Sequence, residues 1–488
     1  MPVDRSRIVR IGVRSLAALA TAAVAVGVVG AAALGTWPSH RAEAPSAVVQ
    51  PEAVSQQRVC PGPVLAIGTD ASDATGIESV GSASVITATD PDDVDLEQSW
   101  LAVADDPEAP EDSGPLVIDA AAGLVDPGML AGAQSQTVRS ETLGGFAAAS
   151  CTEAVEESWL VAGSTTVGRS SLVLLSNPTD VAATVDVRVV GEAGPVEARS
   201  AIGITVPPHT QRVLSLAGLA PNVASPVVRV TSTGGSIAAS LEQSVVEGLA
   251  PAGLELTGPT AAPSDRLVIP GLVIADEGGV HADEDHAEGD AFAALRLYSP
   301  GDEQVEVSIG IVPVGGGGAG DSIDVALQPG TVSDVPLGDL AAGTYTVRVD
   351  ADGPLVAAAR STVMALADDE DGQATDAAVP ADLAWFVAAQ PLLDSAVVAV
   401  ASGASPTLHL AAGGSGAEAV TVTIDGATRD VELPSLGSVS VPLEPGTVLL
   451  QGVEGVSASI TYRGADALAS FAVAPPGPLD SPIRVYPR

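Results

Sequence analysis

Lysine is absent from this sequence, and aromatic and cysteine residues are scarce. All 20 basic side chains are arginines, against 61 Asp and Glu, and the net charge is −41. Because so acidic a surface repels phosphate backbones, the composition argues against nucleic acid as a partner. Aromatics make up 2% of the residues and hydrophobic residues 46%, so Val, Leu, Ile and Ala must build the cores. Small aliphatic cores of this kind favour thin β-sandwiches over one large globule.

Motifs for catalysis are lacking as well. No G-x-S-x-G nucleophile elbow occurs, and the run Gly315–Gly318 has no following lysine of the kind that a phosphate-binding loop uses. His209 falls in a predicted turn and His409 in a predicted strand, and we interpret both as structural. We therefore predict no enzymatic activity and no cofactor. A hydrolase with dispersed carboxylates is the contrasting hypothesis, because 61 acids offer pairs at any spacing.

An uncharged apolar run follows the basic N-terminus. Four arginines and one aspartate in residues 1–14 give a local charge of 4 − 1 = +3, and residues 16–35 carry no charge. This run matches the length of about 20 residues that crosses a bilayer as a helix, and a basic flank stays in the cytoplasm. We predict a single-pass membrane anchor followed by an extracytoplasmic region. The alternative is a secreted protein whose signal peptide is cleaved, for which Ala42–Ala44 resembles a cleavage site.

Cys60 and Cys151 are the two cysteines of the sequence. Two cysteines in an exported chain most often pair. Cys60 lies at the first predicted strand of a domain and Cys151 at its last. We predict a disulfide that joins the two ends of that domain.

A thirteen-residue unit recurs three times, as Ile204–Leu216, Val325–Leu337 and Val431–Leu443. Each copy is an apolar run, a turn with proline and a second apolar run that ends in leucine, a pattern that predicts strand, turn and strand. The copies start 325 − 204 = 121 and 431 − 325 = 106 residues apart. These spacings are close to the size of one β-sandwich, about 100 residues. The chain is thus predicted to be a row of sandwiches.

We predict an all-β fold of tandem immunoglobulin-like β-sandwich domains after one N-terminal transmembrane helix. Trp159 and Trp385 open the second and fourth domains and are expected to be buried. The predicted segments are a cytoplasmic basic tail (1–15), the anchor (16–35), a linker (36–58), β-sandwich domains at 59–158, 159–263, 264–380 and 381–476, and a C-terminal tail (477–488).

The densest group of metal-ligand side chains lies in residues 275–291. His281, Asp283, Asp285 and His286 offer imidazole and carboxylate ligands for Zn²⁺ or another divalent ion. No strand or helix is predicted there to fix their geometry. The other interpretation is a solvated acidic loop, and no metal site is predicted.

Several turn motifs resemble those of a known family. They are Ser176-Asn177-Pro178, the VPPHT segment Val206–Thr210 and the GGSIAAS segment Gly234–Ser240, and they accompany the arginine-flanked anchor. This arrangement is similar to a family of actinobacterial membrane-anchored envelope proteins, a domain-of-unknown-function family. The resemblance implies association with a cell-envelope glycosyltransferase by gene neighbourhood, and it supplies no catalytic residues.

The sequence therefore predicts a non-enzymatic, membrane-anchored, extracytoplasmic scaffold or interaction protein of the cell envelope. The alternative is a glycan-binding accessory protein in cell-wall polysaccharide assembly. The expected partners are the membrane, through the N-terminal anchor, and cell-wall glycan or an envelope glycosyltransferase.

Overall fold

Alternating apolar residues form strands in the structure, as predicted. In the strand Ala183–Gly191 every second side chain is buried and those between are exposed or half-buried. The structure is a computed structural model. It describes residues 47–49, 55–68, 76–106, 109–110, 112–275, 292–315, 320–337, 340–368, 374–413, 419–424, 426–475 and 483–485, with Ala20, Ala23 and Val24. The described chain is all-β, which confirms the predicted fold class.

Helical structure is minor throughout the described residues. It comprises a 3-10 turn (Arg199–Ala201), the short helix α1 (Leu216–Leu219) and the helical residues Ala20, Ala23 and Val24. The predicted anchor, residues 16–35, otherwise lies outside the described residues. Among the residues that are described, no helix has the length and hydropathy to cross a membrane.

The chain divides into two units. One comprises Met1–Pro51 and Pro482–Arg488, in which strand β1 (Ala47–Val49) pairs antiparallel with the final strand, Ile483–Val485. The other comprises Glu52–Ser481. The paragraphs that follow concern the second unit.

Strands of the second unit fall into four successive groups, which we call repeats. The first repeat holds β2 (Gln56–Val59), β3 (Leu65–Ile67), β4 (Ile77–Ser79), β5 (Ser84–Thr89), β6 (Glu97–Trp100), β7 (Ala102–Val103), β8 (Leu116–Ala120), β9 (Leu130–Arg139) and β10 (Gly144–Ser150). The second holds β11 (Glu157–Val161), β12 (Arg169–Asn177), β13 (Ala183–Gly191), β14 (Gly194–Val196), β15 (Ile204–Val206), β16 (Thr210–Ser215), β17 (Val227–Gly234), β18 (Ala238–Glu247) and β19 (Ala250–Thr257). The third holds β20 (Ser264–Ile274), β21 (Ala294–Tyr298), β22 (Val305–Pro313), β23 (Asp321–Leu327), β24 (Val332–Pro336), β25 (Gly343–Asp368) and β26 (Ala374–Val387). The fourth holds β27 (Ser395–Val400), β28 (Thr407–Ala412), β29 (Ala419–Ile424), β30 (Ala427–Glu432), β31 (Ser438–Pro442), β32 (Gly446–Gln451), β33 (Val456–Arg463) and β34 (Leu468–Ala472), and the chain's last described strand is β35 (Ile483–Val485).

Each repeat contains an axial and an outer sheet whose strands follow the same order. The first repeat also has the two-stranded sheet β3-β4, and its strand β7 joins the axial sheet of the second repeat by pairing parallel with β16. The axial sheets have the last strand of the repeat at one edge, and they are β10-β9-β5, β19-β18-β12-β16-β7, β26-β25-β21-β24 and β34-β33-β28-β31. The outer sheets are β2-β8-β6, β11-β17-β13 with β14 and β15, β20-β25-β22-β23, and β27-β32-β29-β30. The long strand β25 belongs to both sheets of its repeat, since its first half pairs with β20 and β22 and its second half with β21 and β26.

The thirteen-residue unit has the same surroundings in all three copies. Its first strand lies in the outer sheet (β15, β23 or β30) and its second in the axial sheet (β16, β24 or β31). The unit is therefore a connection between two sheets, whereas the sequence alone predicts that two strands reverse there. The turn residues His209, Gly330 and Leu436 occupy equivalent positions and all have positive φ, at 52°, 72° and 55°. The copies thus preserve a backbone conformation and not a side chain.

Aliphatic cores lie between the two sheets, and the axial sheets are buried on both faces. In the third repeat Leu297 of the axial sheet packs in one core with Ile309 and Val347 of the outer sheet. The next residue, Tyr298, points the other way and joins the core of the second repeat. Axial sheets therefore hold each repeat against the one before it.

The first and fourth repeats share a single core. Ile118 and Phe146 of the first repeat pack in the same cluster as Leu408 and Val448 of the fourth. The four repeats consequently close into a ring, which differs from the predicted row. Local sequence patterns do not indicate this contact, because the residues of the first and fourth repeats that form it are about 300 positions apart in the sequence.

Polar side chains of the axial sheets form hydrogen bonds across the contacts between repeats, which we call joints. Glu242 accepts hydrogen bonds from the Leu65 backbone N–H at 3.0 and 3.2 Å, and the Ser459 hydroxyl donates to the Pro270 carbonyl at 2.7 Å. Ser135 closes the ring by donating from its hydroxyl to the Ser402 carbonyl at 2.6 Å.

Arg296 makes the most extensive joint, between the third and second repeats. Its side chain is fully buried and donates to both oxygens of Asp334 at 2.9 and 3.0 Å. It also donates to the carbonyls of Gly163, Ala224 and Pro226 across the joint. All five guanidinium N–H groups therefore have acceptors. Burial would raise the pKa of Asp334, but the charge and hydrogen bonds of Arg296 outweigh it and the pKa is lowered.

Trp159 and Trp385 are both buried, as expected. They do not occupy equivalent positions, because Trp159 lies on the first strand of the second repeat and Trp385 on the last strand of the third. The third domain is predicted to end at residue 380, which lies within strand β26. The predicted domain boundaries remain predictions.

Candidate functional site

The last strands of the four repeats meet around one axis. We call β10, β19, β26 and β34 the axial strands. Each lies at a sheet edge, and β10 contacts β19, β19 contacts β26, β26 contacts β34 and β34 contacts β10. Edge strands carry a row of backbone N–H groups with no neighbouring strand to bond. Since these edges are buried at the axis, their N–H groups need other acceptors.

The carboxylate of Asp382 is the acceptor at one level of the axis. One oxygen accepts from Leu254 N–H and Leu383 N–H at 3.0 Å each, and the other accepts from Phe146 N–H at 2.9 Å and Leu468 N–H at 3.0 Å. The four donors belong to the four axial strands. A single buried side chain therefore bonds to all four repeats.

A second carboxylate occupies the next level. One oxygen of Glu255 accepts a hydrogen bond from Leu256 N–H at 2.9 Å, and the other is buried without a hydrogen-bond partner among the described residues. The backbone N–H groups of Trp385 and Ser470 act on the same carboxyl and lower its pKa. Leu256, Trp385 and Ser470 each lie two residues beyond a donor to Asp382. Because the N–H direction alternates along a strand, donors two residues apart point to the same edge. Asp382 and Glu255 thus serve two successive layers of edge donors.

Small residues make room for Asp382. Gly145, Gly253 and Ala467 take the position of Asp382 in the other three axial strands, each directly before a donor. A Cβ atom on Gly145 would lie 2.6 Å from an Asp382 oxygen, and one on Gly253 would lie 2.3 Å from the Leu383 side chain. Both glycines have φ near +147°, at +148° and +146°, which side chains disfavour. One acidic and three small residues therefore fill four equivalent positions.

Burial alters the protonation of these acids. It raises the pKa of Asp382 to about 8, although the four N–H donors act in the opposite direction. The pKa of Glu255 is raised well above its usual range, by burial first and then by the nearby Asp382 charge. Glu242, at the joint of the first two repeats, has its pKa raised to about 8 by burial. These shifts favour the protonated forms of the two axial acids.

A pocket of about 330 Å³ opens at the carboxyl ends of the axial strands. All four repeats line it, with Ser150, Gly258, Val387 and Ala472 among the lining residues. Trp159 and other apolar side chains form part of its wall. This volume falls at the lower end of the range for small-molecule sites, about 300–1,000 Å³.

Charged groups in the pocket wall are paired. Arg58 donates to Glu153 at 2.6 Å, and Arg229, which lies over the Trp159 ring, donates to Glu157 at 2.9 and 3.1 Å. The Trp159 indole N–H also donates to Glu157, at 2.9 Å. These hydrogen bonds, with the Arg229 bond the largest cause, outweigh burial and lower the pKa of Glu157. The charges of the wall are thus compensated within the protein.

Thr257 is another lining residue of the pocket. Thr257 is 1% exposed, and its oxygen has no hydrogen-bond partner among the described residues. A buried hydroxyl without a partner is unfavourable by about 1–3 kcal/mol, so such a group beside a pocket points to a bound molecule.

The predicted disulfide is present and borders the pocket. Cys60 and Cys151 are joined, with 3.9 Å between their Cα atoms, and Cys151 is among the lining residues. This confirms the predicted pairing and the link between the two ends of the first repeat.

The structure describes only some of the remaining sequence candidates. His281, Asp283, Asp285 and His286 lie outside the described residues. Within the described residues no three His, Cys, Asp or Glu side chains form a group suited to a metal ion. His209 is at an exposed turn, 2.8 Å from Asp180.

His409 is buried in its predicted strand at the joint of the third and fourth repeats. Its ring nitrogens contact the hydroxyls of Ser440 and Thr461, each at 2.7 Å. Burial lowers the pKa of His409 to about 4. The ring is therefore neutral at physiological pH and serves as a packing and hydrogen-bonding group.

Sequence reasoning missed Asp382 and Glu255. A signal is present in the sequence, since the pairs Gly-Phe at 145, Gly-Leu at 253, Asp-Leu at 382 and Ala-Leu at 467 occupy equivalent positions in or directly before the axial strands. Aligning these four segments shows one acid among small residues in otherwise apolar strands. Such an acid needs a buried partner.

The fold and the axis define an all-β protein whose four repeats surround a buried acidic centre and a pocket. The chain belongs to a family of unknown function (DUF5719), whose model matches residues 106–449. No curated protein matches the sequence. A solved structure described as the crystal structure of Thermotoga maritima 1070 is similar over 25% of this chain and 90% of its own, at 13% identity and a TM-score of 0.18. A TM-score that low does not define a shared fold.

Proposed function

We propose that the protein is a non-enzymatic, membrane-anchored, extracytoplasmic scaffold or interaction protein of the cell envelope. The observation that carries this proposal is the closed ring, in which Asp382 accepts hydrogen bonds from all four repeats. The buried polar groups described above connect repeats to one another. Such a body is rigid and presents its outer sheets as fixed surfaces for partners.

The disulfide supports an extracytoplasmic location. Disulfides persist in oxidising compartments and are rare in the cytosol. The basic residues and apolar run of the N-terminus support attachment to the membrane through residues 16–35. We further propose that the second, third and fourth repeats are immunoglobulin-like sandwiches, a proposal supported by their shared two-sheet strand order.

The alternative is a glycan-binding accessory protein in cell-wall polysaccharide assembly, beside an envelope glycosyltransferase. The observation in its favour is the pocket, where Trp159 lies among paired polar groups. Sites for small polar ligands commonly combine an aromatic wall with a few fixed polar groups.

Cell fractionation and cross-linking test the scaffold proposal, and binding to wall polysaccharide tests the glycan-binding alternative. Full-length protein in its host should sediment with membranes, be cut by protease added to intact spheroplasts, and cross-link reproducibly to envelope proteins. A protein found in the cytosol, or cross-linked to nothing in the envelope, would refute the scaffold proposal. Retention on purified wall polysaccharide that survives high salt would favour the glycan alternative.

A further inference from the structure

The axial strands present a third layer of backbone donors beyond Asp382 and Glu255. The N–H groups of Cys151, Ala388 and Val473 bond to the neighbouring strands of their own sheets at 2.8, 3.2 and 2.9 Å. Because direction alternates, the N–H groups one residue earlier, those of Ser150, Val387 and Ala472, point to the axis.

Gly258 completes this layer. It lies two residues beyond Leu256 and four beyond Leu254, whose N–H groups bond to Glu255 and Asp382. Continued one residue past the end of β19 at Thr257, this alternation directs the N–H group of Gly258 to the same edge. Ser150, Gly258, Val387 and Ala472 all line the pocket. The layer lies about 7 Å along the axis from the donors to Glu255, since two strand residues advance by that distance.

The molecule itself shows which group such a layer accepts. At both inner layers the group that meets the converging N–H donors is a carboxylate, supplied by Asp382 and by Glu255. The third layer continues the same alternation along the axial strands, but it faces a pocket.

We propose that the axial pocket binds a small organic monocarboxylate, whose carboxylate meets the third layer of N–H groups and whose apolar body lies against the pocket wall. This proposal does not depend on the scaffold function. Thr257 also lines the pocket, and its buried hydroxyl, which has no hydrogen-bond partner among the described residues, supplies a further donor. Trp159 and Phe471 supply apolar surface for the body of the ligand.

The charge of the surroundings is compatible with an anion. Arg58 is paired with Glu153 and Arg229 with Glu157, so the wall adds no unpaired acid. The pKa values of the two acids below the pocket, Asp382 and Glu255, are both raised by burial, which favours their neutral forms. Repulsion of a bound carboxylate from below is therefore reduced.

Calorimetry with matched pairs of small molecules tests the proposal. The probes are acetate, lactate and benzoate, each compared with its neutral amide, and sulfate serves as the control for anions in general. We expect saturable one-to-one binding of at least one carboxylate, with its amide at least tenfold weaker. Amide NMR signals of Ser150, Gly258, Val387 and Ala472 should shift on binding, because their N–H groups form new hydrogen bonds.

Two variants locate the site. A Cβ atom on Gly258 would meet nothing within 4 Å, so Gly258→Leu should fill the pocket without disturbing the fold, and we expect it to abolish binding. Gly218→Leu is the matched control, because Gly218 has the same open surroundings in α1, away from the pocket, and binding should be unchanged. Thr257→Val, which keeps the shape of the side chain, should weaken binding about tenfold without lowering stability, since hydrogen bonds to charged groups are strong.

Three results would overturn the proposal. They are the absence of saturable binding by all three carboxylates, equal binding of sulfate or of the amides, and binding that persists in Gly258→Leu. If Gly258→Leu fails to fold, the Thr257→Val affinity and the four amide signals decide in its place.

Discussion

Replacement of Asp382 by alanine should weaken the whole ring, because four backbone donors lose their acceptor together. The N–H groups of Phe146, Leu254, Leu383 and Leu468 would remain buried. An unpartnered buried donor costs about 1–3 kcal/mol, so the four together cost about 4–12 kcal/mol before water enters the space.

An opposing effect makes the net result depend on pH. Asp382 has its pKa raised from an ordinary value of 3.8 to about 8 in the folded protein. Between those values the folded state keeps a proton that the unfolded state has released. The contribution of Asp382 to stability therefore falls as pH rises, by about 1.4 kcal/mol per pH unit.

The variant should consequently be most destabilised in acid. Moving from about pH 5 to about pH 7 should reduce the destabilisation caused by Asp382→Ala by about 3 kcal/mol, since two pH units each contribute about 1.4 kcal/mol. The absolute effect at about pH 5 should exceed about 3 kcal/mol. Glu255 titrates close by and will spread the transition over a wider range of pH.

Urea unfolding, monitored by tryptophan fluorescence and circular dichroism at the two pH values, measures the destabilisation caused by Asp382→Ala and its change with pH. Asp302→Ala, at an exposed turn, is the matched control and should change stability little at either pH. Equal destabilisation by Asp382→Ala at both pH values would show that the N–H donors keep Asp382 ionised. A loss of less than about 1 kcal/mol at both would refute its role in joining the repeats.

The other predictions concern the turns and the joints. Leu436→Gly should stabilise the protein by about 0.5–1 kcal/mol, because Leu436 is exposed at a φ of 55° where the equivalent residue of the second unit copy, Gly330, is already glycine; thermal unfolding checks this, and a lower midpoint would contradict it. Arg296→Met should cost about 3–5 kcal/mol in urea unfolding, since the buried Asp334 keeps the Ser225 hydroxyl but loses its arginine partner, and three carbonyls lose the donor that they share; an unchanged midpoint would count against the joint. His409, whose pKa is about 4 when folded and 6.5 in the reference state, should lose about 3 kcal/mol of stability as pH falls between those values, and His409→Gln should remove that part of the pH dependence.

Local patterns in the sequence predict the strands and the fold class, but they do not predict the ring. Alternation at Val185, Val187 and Val189 identifies a half-buried strand because the signal is carried by neighbouring residues. The thirteen-residue units were found for the same reason. The sequence does not predict which strands pair with the two strands of each unit, because those pairing strands lie outside the unit. Glycine favours positive φ at the turn of the second copy, whereas the leucine at the equivalent position of the third does not indicate it.

The acidic centre is hidden by composition. Among 61 acids, Asp382 and Glu255 look like further contributions to a solvated surface, and only their apolar neighbours distinguish them. Asp382 is needed because four sheet edges are brought together, and the edges meet only after the first and fourth repeats share a core. A sandwich on its own could leave its last strand exposed to water, which would satisfy the N–H groups without a carboxylate. An acid at this position is therefore required only in the closed ring. The three small residues at the equivalent positions of the other repeats have the same explanation. Four acids could not share one dry axis, and four small residues would leave the backbone N–H donors of the axis without an acceptor.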